Sequence, residues 1–105
     1  MNANQVTSAI IEYIQLTGNA AHRINVIGVP LPGGKFRPSP NRGVADIIAC
    51  IDGRYVGIEV KIGRDKQSVY QKKYQEDIES SGGIYFICSS LSNFIELFEN
   101  INKKK

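Results

Sequence analysis

Apolar and polar residues alternate most regularly between Gly43 and Lys61, and this pattern predicts two adjacent β-strands. The two strands are rich in β-branched residues and are separated by Asp52 and Gly53. An Asp-Gly pair in this setting is typical of a hairpin, because a type I′ turn needs positive φ at both central residues. A two-residue loop also fixes the register, so that Ile51 is predicted to pair with Arg54.

This register gives the hairpin two different faces. On one face Asp46 lies directly opposite Glu59, with Lys61 two residues further along and Gly57 leaving room beside them. Residues paired in this way have Cβ atoms about 4.5–5.5 Å apart. The opposite face is apolar and is predicted to lie on the core; it consists of Ala45, Ile47, Ala49, Ile51, Val56, Ile58 and Val60.

Apolar residues at helical spacing predict three helices around the hairpin. They span about residues 4–17, 68–81 and 90–101, and the last is capped by Ser90 or Ser92. The second helix is predicted to bury Val69, Tyr70, Tyr74 and Ile78. The apolar residues of the last helix are Phe94, Ile95, Leu97 and Phe98.

Two further strands are predicted at Ala20–Val26 and Ile84–Cys88. The loop from Ile27 to Arg42 contains all four prolines, and a loop of this length in a small domain is typically functional or mobile. The predicted order of elements is α-β-β-β-α-β-α. This order indicates an α/β domain in which helices flank a mixed β-sheet.

Length and composition narrow the class of protein. The chain is expected to be a single domain over residues 1–105, and neither a membrane span nor a secretory signal is expected. Cys50 and Cys88 lack metal-ligand spacing and are expected to be reduced core residues, which favours a cytoplasmic protein. The formal net charge of +3 falls to zero without the last three lysines, so it supports a polyanionic partner only weakly.

The paired carboxylates are the main candidates for chemistry. Asp46 and Glu59 would repel each other across the hairpin, and a cation between them removes that repulsion. Carboxylate oxygens suit a hard divalent metal such as Mg²⁺, and the ammonium of Lys61 can hold a metal-bound water or stabilise a phosphate oxyanion. The alternative is a solvated face with an ordinary Glu-Lys pair, since the tripeptide Glu-x-Lys is common.

Four other polar residues are candidates for a functional role, and each also has a simpler structural explanation. Gln5 and Glu12 lie on one polar line of the first helix, which either faces the hairpin or is solvated. The single histidine, His22, has no partner at motif spacing and is expected to be structural or exposed. Gln71 matches a capping box with Ser68, which alone would explain it.

Basic residues occur on both sides of the hairpin in sequence. Their side chains could contact phosphates near the site, and the alternative for the proline-containing loop is a solvated, flexible segment. The candidate DNA-binding residues are Lys35, Arg37, Arg42, Arg64, Lys66 and Lys72.

Three motifs together resemble the VRR-NUC branch of the PD-(D/E)XK nuclease superfamily: Gly43-Val-Ala-Asp46, Ile58-Glu59-Val60-Lys61 and Ser68-x-x-Gln71-Lys72. The resemblance covers most of the chain. It implies a restriction-endonuclease-like fold and a DNA endonuclease that depends on Mg²⁺ or Mn²⁺.

The resemblance also implies roles for individual residues. Asp46, Glu59 and the carbonyl of Val60 would bind the metal. Lys61 would orient the attacking water or stabilise charge, and Gln71 would position water or phosphate. The family often has proline before the aspartate, where this chain has Ala45, and often a glutamate near the start of the opening helix. In this chain Gln5 lies near the start of the opening helix, and Glu12 follows two turns later.

Stand-alone viral and bacterial members of this family resemble Holliday-junction resolvases and tend to be homodimers. The resemblance therefore implies a homodimer that cuts branched DNA in the cytoplasm of a bacterium or of a virus-infected host cell. Phe94, Leu97 and Phe98 are candidates for the dimer surface, unless they cover the sheet. The rival function is a non-catalytic DNA-binding or assembly module, which would gain nothing from carboxylates that face phosphate.

Overall fold

The computed structural model describes residues 1–24, 29–37 and 43–101. Within these residues the chain forms three α-helices and six β-strands. In chain order they are α1 (Ala3–Leu16), β1 (Ala20–Arg23), β2 (Val29–Pro30), β3 (Phe36–Arg37), β4 (Ile47–Ile51), β5 (Arg54–Val60), α2 (Val69–Ser80), β6 (Ile84–Cys88) and α3 (Leu91–Ile101). None of these helices is long and apolar enough to span a membrane.

The main sheet has four strands in the order β1-β4-β5-β6. β4 is antiparallel to both of its neighbours, whereas β5 and β6 are parallel because α2 connects them across the sheet. The predicted class, an α/β domain with a mixed sheet flanked by helices, is confirmed.

The predicted register of the β4–β5 hairpin is confirmed. Ile51 pairs with Arg54, and the turn between them has φ of 51° at Asp52 and 80° at Gly53. The same ladder pairs residue 47 with residue 58, so the next residues outward, Asp46 and Glu59, lie opposite each other.

Helices α1 and α3 cover the apolar face of the sheet. The ring of Tyr13 on α1 meets Phe94 and Phe98 of α3 edge-on, at centroid distances of 6.1 and 5.4 Å. Phe94 has no exposed surface, and Leu97 and Phe98 pack against the core. These side chains therefore cover the sheet, and they do not form the free apolar surface that was considered for a dimer.

Helix α2 covers the opposite face of the sheet. Its half-buried residues recur at i, i+3, i+4 and i+7: Gln71, Tyr74, Gln75 and Ile78. The prediction that Val69 and Tyr70 are buried is wrong, since they are 80% and 53% exposed. The hydrophobic pattern predicted the wrong buried face for this helix. The sheet face below it carries the polar Glu59, and the helix residues that face the sheet include the amides of Gln71 and Gln75.

One prediction for the hairpin is also wrong. Cys50 is exposed because it shares the face of Asp46, at a point that α2 does not cover, whereas Cys88 is buried and burial raises the pKa of its thiol to about 12. Ala45 is fully buried, as predicted, but lies on the side of Gly57, 3.5 Å from where a Cβ at that glycine would lie. β4 begins after Ala45, so strand alternation does not apply to this residue.

Part of the predicted proline-containing loop has regular structure. β2 and β3 form a short antiparallel ladder around a 3₁₀ turn at Pro32–Gly34, and the Leu31 N–H donates to the Lys35 carbonyl at 2.8 Å. The predicted first strand ends at Arg23, and residues 25–28 and 38–42 lie outside the described residues.

Candidate active site

Asp46 is fixed at the point where β4 begins. Its carboxylate Oδ2 accepts a hydrogen bond from the Val60 N–H at 2.8 Å. Its backbone carbonyl accepts another from the Ile24 N–H at 2.9 Å. The side chain of Asp46 thus takes the place of a backbone carbonyl in the β4–β5 ladder, and the strands on both sides hold it there.

Glu59 lies on the face of β5 that α2 covers, and it has no exposed surface. Within the described residues, neither of its carboxylate oxygens has a hydrogen-bond partner. Burial raises its pKa to about 7; the charge of Lys61 lowers the pKa, the charge of Asp46 raises it, and the amide of Gln67 lowers it. Buried polar groups are almost always paired, so a fully buried carboxylate with no described hydrogen-bond partner is unusual.

Lys61 directly follows β5 and is half-buried. Its N–H donates to the Cys88 carbonyl at 2.9 Å, so β6 fixes the position from which the side chain extends. In the described parts of the chain the one ion pair is Lys73 with Asp77, at 2.5 Å. The solvated Glu-Lys pair considered from the sequence is therefore wrong, since Glu59 is neither solvated nor in a closed ion pair.

Gln71 closes the capping box of α2, as the sequence predicted. Its Oε1 accepts from the Ser68 N–H at 2.9 Å, and its own N–H donates to the Ser68 Oγ at 3.1 Å. These bonds use the carbonyl oxygen of the Gln71 side chain and not its Nε2. A role of Gln71 toward water or phosphate stays a prediction.

Sequence reasoning missed Gln67, which lies just before the N-cap of α2. Its amide acts on the carboxylate of Glu59, and its Nε2 donates to the Oε1 of Gln75 at 2.9 Å. The available signal was the spacing of glutamines 67, 71 and 75, which places three amides along one line of the helix.

Gly43 brings the segment that carries Asp46 against α2. Its φ is 89°, and a Cβ at this position would lie 2.7 Å from the Tyr70 carbonyl oxygen. Only glycine tolerates this conformation and this approach. The motif glycine therefore allows the segment that carries Asp46 to lie against the first turn of α2.

Both candidates on α1 are exposed, and a role of either at the site stays a prediction. Gln5 is exposed and forms a capping box with Asn2, with both hydrogen bonds at 2.9 Å. A bond of 2.5 Å from Arg23 to Asn4 places this end of α1 at the same end of the sheet as Asp46. Glu12 is exposed and lies about 10 Å further along the helix axis.

The basic candidates differ in where they lie. Arg64 and Lys66 are exposed in the connection that follows Lys61, at the site end of β5. Lys35 and Lys72 are also exposed. Arg42 and the side chain of Arg37 lie outside what the structure describes. His22 is exposed, which agrees with one of the two expectations for it.

The donor set fits a hard divalent metal. Asp46 and Glu59 supply carboxylate oxygens, and the Val60 carbonyl points to the same side as the Val60 N–H, toward Asp46. Across residues 1–24, 29–37 and 43–101, no three His, Cys, Asp or Glu side chains form a group that could hold a metal. Two carboxylates, one carbonyl and water suit Mg²⁺ or Mn²⁺ better than zinc, which takes His and Cys.

A solved structure named "VRR_NUC domain" is similar to this chain. The two share 19% sequence identity and superimpose with a TM-score of 0.70, over 94% of this chain and 96% of that one. No protein-family profile matches the sequence, and no curated protein matches it. The chain therefore has the fold of a VRR_NUC domain, which is the fold that its three motifs predicted.

Proposed function

We propose that this protein, which has the fold of a VRR_NUC domain, is a metal-dependent endonuclease that hydrolyses phosphodiester bonds in DNA. The observation that carries the proposal is the carboxylate of Glu59, fully buried beside Asp46, with neither oxygen hydrogen-bonded to any described residue. A buried carboxylate with only a structural role would be paired with a cationic side chain or with backbone donors. A divalent cation satisfies this carboxylate and also promotes phosphodiester hydrolysis.

The residues of the site would divide the work. Asp46, Glu59 and the Val60 carbonyl would hold Mg²⁺ or Mn²⁺, which when bound acidifies water and neutralises phosphate charge. Lys61 extends from the end of β5, beside Glu59, where its ammonium can orient the attacking water or stabilise charge on the phosphate. The Nε2 of Gln71 stays outside the capping box and can donate to water or phosphate.

Exposed cations support DNA as the substrate. Arg64 and Lys66 are exposed and follow Lys61 within five residues, so both side chains are available to contact phosphates near the site. Lys35 and Lys72 add further positive charge on exposed positions, and Arg37 and Arg42 complete the proposed DNA-binding set.

We further propose that the protein acts on branched DNA as a homodimer. The described chain carries one pair of catalytic carboxylates, whereas symmetric cutting of a four-way junction needs two sites related by a two-fold axis. The aromatic residues of α3 do not support this proposal, because Phe94 is buried in the core and Phe98 packs against it. The proposal rests on the resemblance of the motifs to stand-alone junction-cutting members of the family.

A cleavage assay with Asp46→Asn tests the main proposal. Asparagine retains an oxygen that can accept from the Val60 N–H, so the variant should fold while losing one ligand charge. Wild type should cut DNA with Mg²⁺ or Mn²⁺ and not with EDTA, and calorimetry should show Mn²⁺ binding that the variant loses. DNA binding without cleavage in either metal would favour the non-catalytic module instead.

A further inference from the structure

The sheet face on which α2 lies is covered on one side only. Helix α2 packs on β6, where the ring of Tyr74 meets Tyr85 edge-on at a centroid distance of 6.1 Å. On β1 and β4 the same face is open, since His22 and Cys50 are exposed and Ile48 is half-buried. The proposed function assigns no role to this open half of the face.

A cavity of about 320 Å³ lies on the open half of the face, and we call it the sheet cavity. Ile48 and Cys50 of β4 lie at its centre, Ala20 and His22 of β1 on one side, and Tyr55 of β5 on the other. Among the described residues that line it, none is Lys, Arg, Asp or Glu. The sheet cavity therefore suits a flat, uncharged group and not a phosphate.

The ring of Tyr55 is fixed at the side of the sheet cavity. Its hydroxyl forms a hydrogen bond with the hydroxyl of Tyr74 on α2. A Cβ at Gly83 would lie 3.5 Å from the Cδ1 of Tyr55, so the connection between α2 and β6 packs against one edge of the ring. The residue is nevertheless 40% exposed. Tyr55 thus offers a pre-organised aromatic surface, which lowers the entropy cost of binding a ligand.

The sheet cavity and the proposed metal site lie next to each other on one face. On the β1 side of β4, His22 pairs with Ile48, and the next hydrogen bond toward the site runs from the Ile24 N–H to the Asp46 carbonyl at 2.9 Å. Ile48 is therefore two residues, or about 7 Å, from Asp46 along the chain. One nucleotide can span this distance between its phosphate and its base.

Burial shows from which side a substrate can reach the two carboxylates. Glu59 has no exposed surface, whereas Asp46 is half-buried. A phosphate can therefore approach from the side of β4 and β1, where the face is open, and not through α2. The sheet cavity lies on this open side, next to Asp46.

We propose that the sheet cavity binds an unpaired base of the DNA substrate, beside the phosphodiester bond that is cut. The inference rests on the proposed function, because it concerns the substrate of the same site. In a duplex the base is stacked and paired, so only an unpaired or displaced base has a face free to stack on Tyr55. The substrate class is thus DNA with an unpaired nucleotide next to the cut.

Equilibrium binding in Ca²⁺ tests the inference on the full chain. One probe is a duplex, and the other is the same duplex with a single unpaired 2-aminopurine, whose fluorescence falls when the base stacks. Wild type should bind the second probe more tightly and quench its fluorescence. Tyr55→Leu should bind this probe about 5–50-fold more weakly, without quenching, and should bind the paired duplex as wild type does.

Two matched variants separate stacking from the contact with α2. Tyr55→Phe retains the ring and loses the hydroxyl, and Tyr74→Phe removes the same hydrogen bond from the side of α2. Both should retain most of the affinity for the unpaired probe. Urea midpoints of all variants show whether the fold is intact, and light scattering shows whether the mass has changed.

Cleavage kinetics supply a second readout. For DNA with an unpaired nucleotide at the cut, Tyr55→Leu should raise the KM by about the same factor as the dissociation constant and leave kcat unchanged. A lower kcat with an unchanged KM would overturn the inference, because it would assign Tyr55 to the chemical step.

The outcomes distinguish the inference from the proposed function. A wild type that cuts DNA but binds both probes equally overturns the inference and leaves the nuclease proposal intact. Equal losses in Tyr74→Phe and Tyr55→Leu also overturn it, as does a change of mass in Tyr55→Leu without a change in DNA affinity, which would identify a second copy as the occupant. Quenching that depends on Tyr55, in a protein that does not cut DNA, supports the cavity and overturns the nuclease proposal.

Discussion

Glu59 carries the main electrostatic cost of the fold at the scale of single residues. β5 places it where neither water nor a described hydrogen-bond donor completes its carboxylate. Its pKa of about 7, against 4.5 for an ordinary glutamate, means that the metal-free folded state prefers the protonated form of Glu59 below pH 7. Burial of this carboxylate therefore costs stability at pH values above its pKa.

The first prediction concerns the pH dependence of metal-free stability. Between pH 4.5 and about 7 the unfolded chain releases the proton of Glu59 while the folded chain retains it. The raised pKa therefore stabilises the fold fully below pH 4.5, and this contribution of up to about 3 kcal/mol is lost as the pH rises through 7. Glu59→Gln cannot titrate and should lack this loss.

Urea unfolding in EDTA at pH 4.5, 6 and 8 measures this effect. The free energy of unfolding of Glu59→Gln should equal that of wild type at the lowest pH and exceed it at pH 8. If the free energies of unfolding of the two proteins differed by the same amount at every pH, Glu59 would have an ordinary pKa in the fold.

The second prediction concerns Lys61. Its ammonium is placed to act on charge that develops in the transition state, so Lys61→Ala should lower kcat by about 10²–10³-fold. Affinity for DNA should change little, because the exposed cations of the site, Arg64 and Lys66, remain. Single-turnover cleavage and an equilibrium binding assay in Ca²⁺ separate the two quantities. Cleavage at the wild-type rate would exclude Lys61 from the chemistry.

At the scale of elements, the site depends on how α2 meets the β4–β5 hairpin. Gly43 lies against the backbone of Tyr70 in the first turn of α2, and the side chains of Gln67 and Gln75 are joined by a part-buried hydrogen bond. The register of the hairpin places the two carboxylates opposite each other. Helix α2 removes Glu59 from water and supplies the amides of the site.

The third prediction tests this contact with a matched pair of glycines. Gly43→Ala places a Cβ 2.7 Å from the Tyr70 carbonyl oxygen at φ of 89°, and should destabilise the fold by about 2–4 kcal/mol. Gly18→Ala has a similar φ of 85° but open space around the Cβ, so it should cost about 1–2 kcal/mol. Chemical denaturation measures both, and equal costs would show that contact with α2 is unimportant.

At the scale of the whole molecule, the fourth prediction concerns the homodimer. Light scattering at micromolar concentration should give twice the 11.6 kDa of one chain. Four-way junctions should be cut faster than a linear duplex of matched sequence, because the two sites of a symmetric dimer match the symmetry of the junction. A mixed dimer of one wild-type and one Asp46→Asn subunit should cut only one of the two strands that the wild-type dimer cuts in the junction. A monomeric mass, or equal cutting of the duplex, would contradict this prediction.

Much of the site could be predicted from the sequence because it depends on local rules. The Asp-Gly turn fixes the hairpin register, and the register alone brings Asp46 opposite Glu59. The capping box of Ser68 and Gln71 is equally local, since it spans three residues. Helix and strand positions also followed from periodicity, and the order of the main elements was confirmed.

Only the tertiary structure decided what surrounds these carboxylates. Burial depends on which elements cover a face, and hydrophobic pattern misassigned α2 because its sheet-facing line is partly polar. The same limit explains why Cys50 was expected inside and why Gln67 was missed. The sequence by itself determined that Asp46 and Glu59 lie opposite each other, because neighbouring strands obey fixed pairing rules. The burial of Glu59, its raised pKa and the amides beside it follow from long-range packing, which no local pattern specifies.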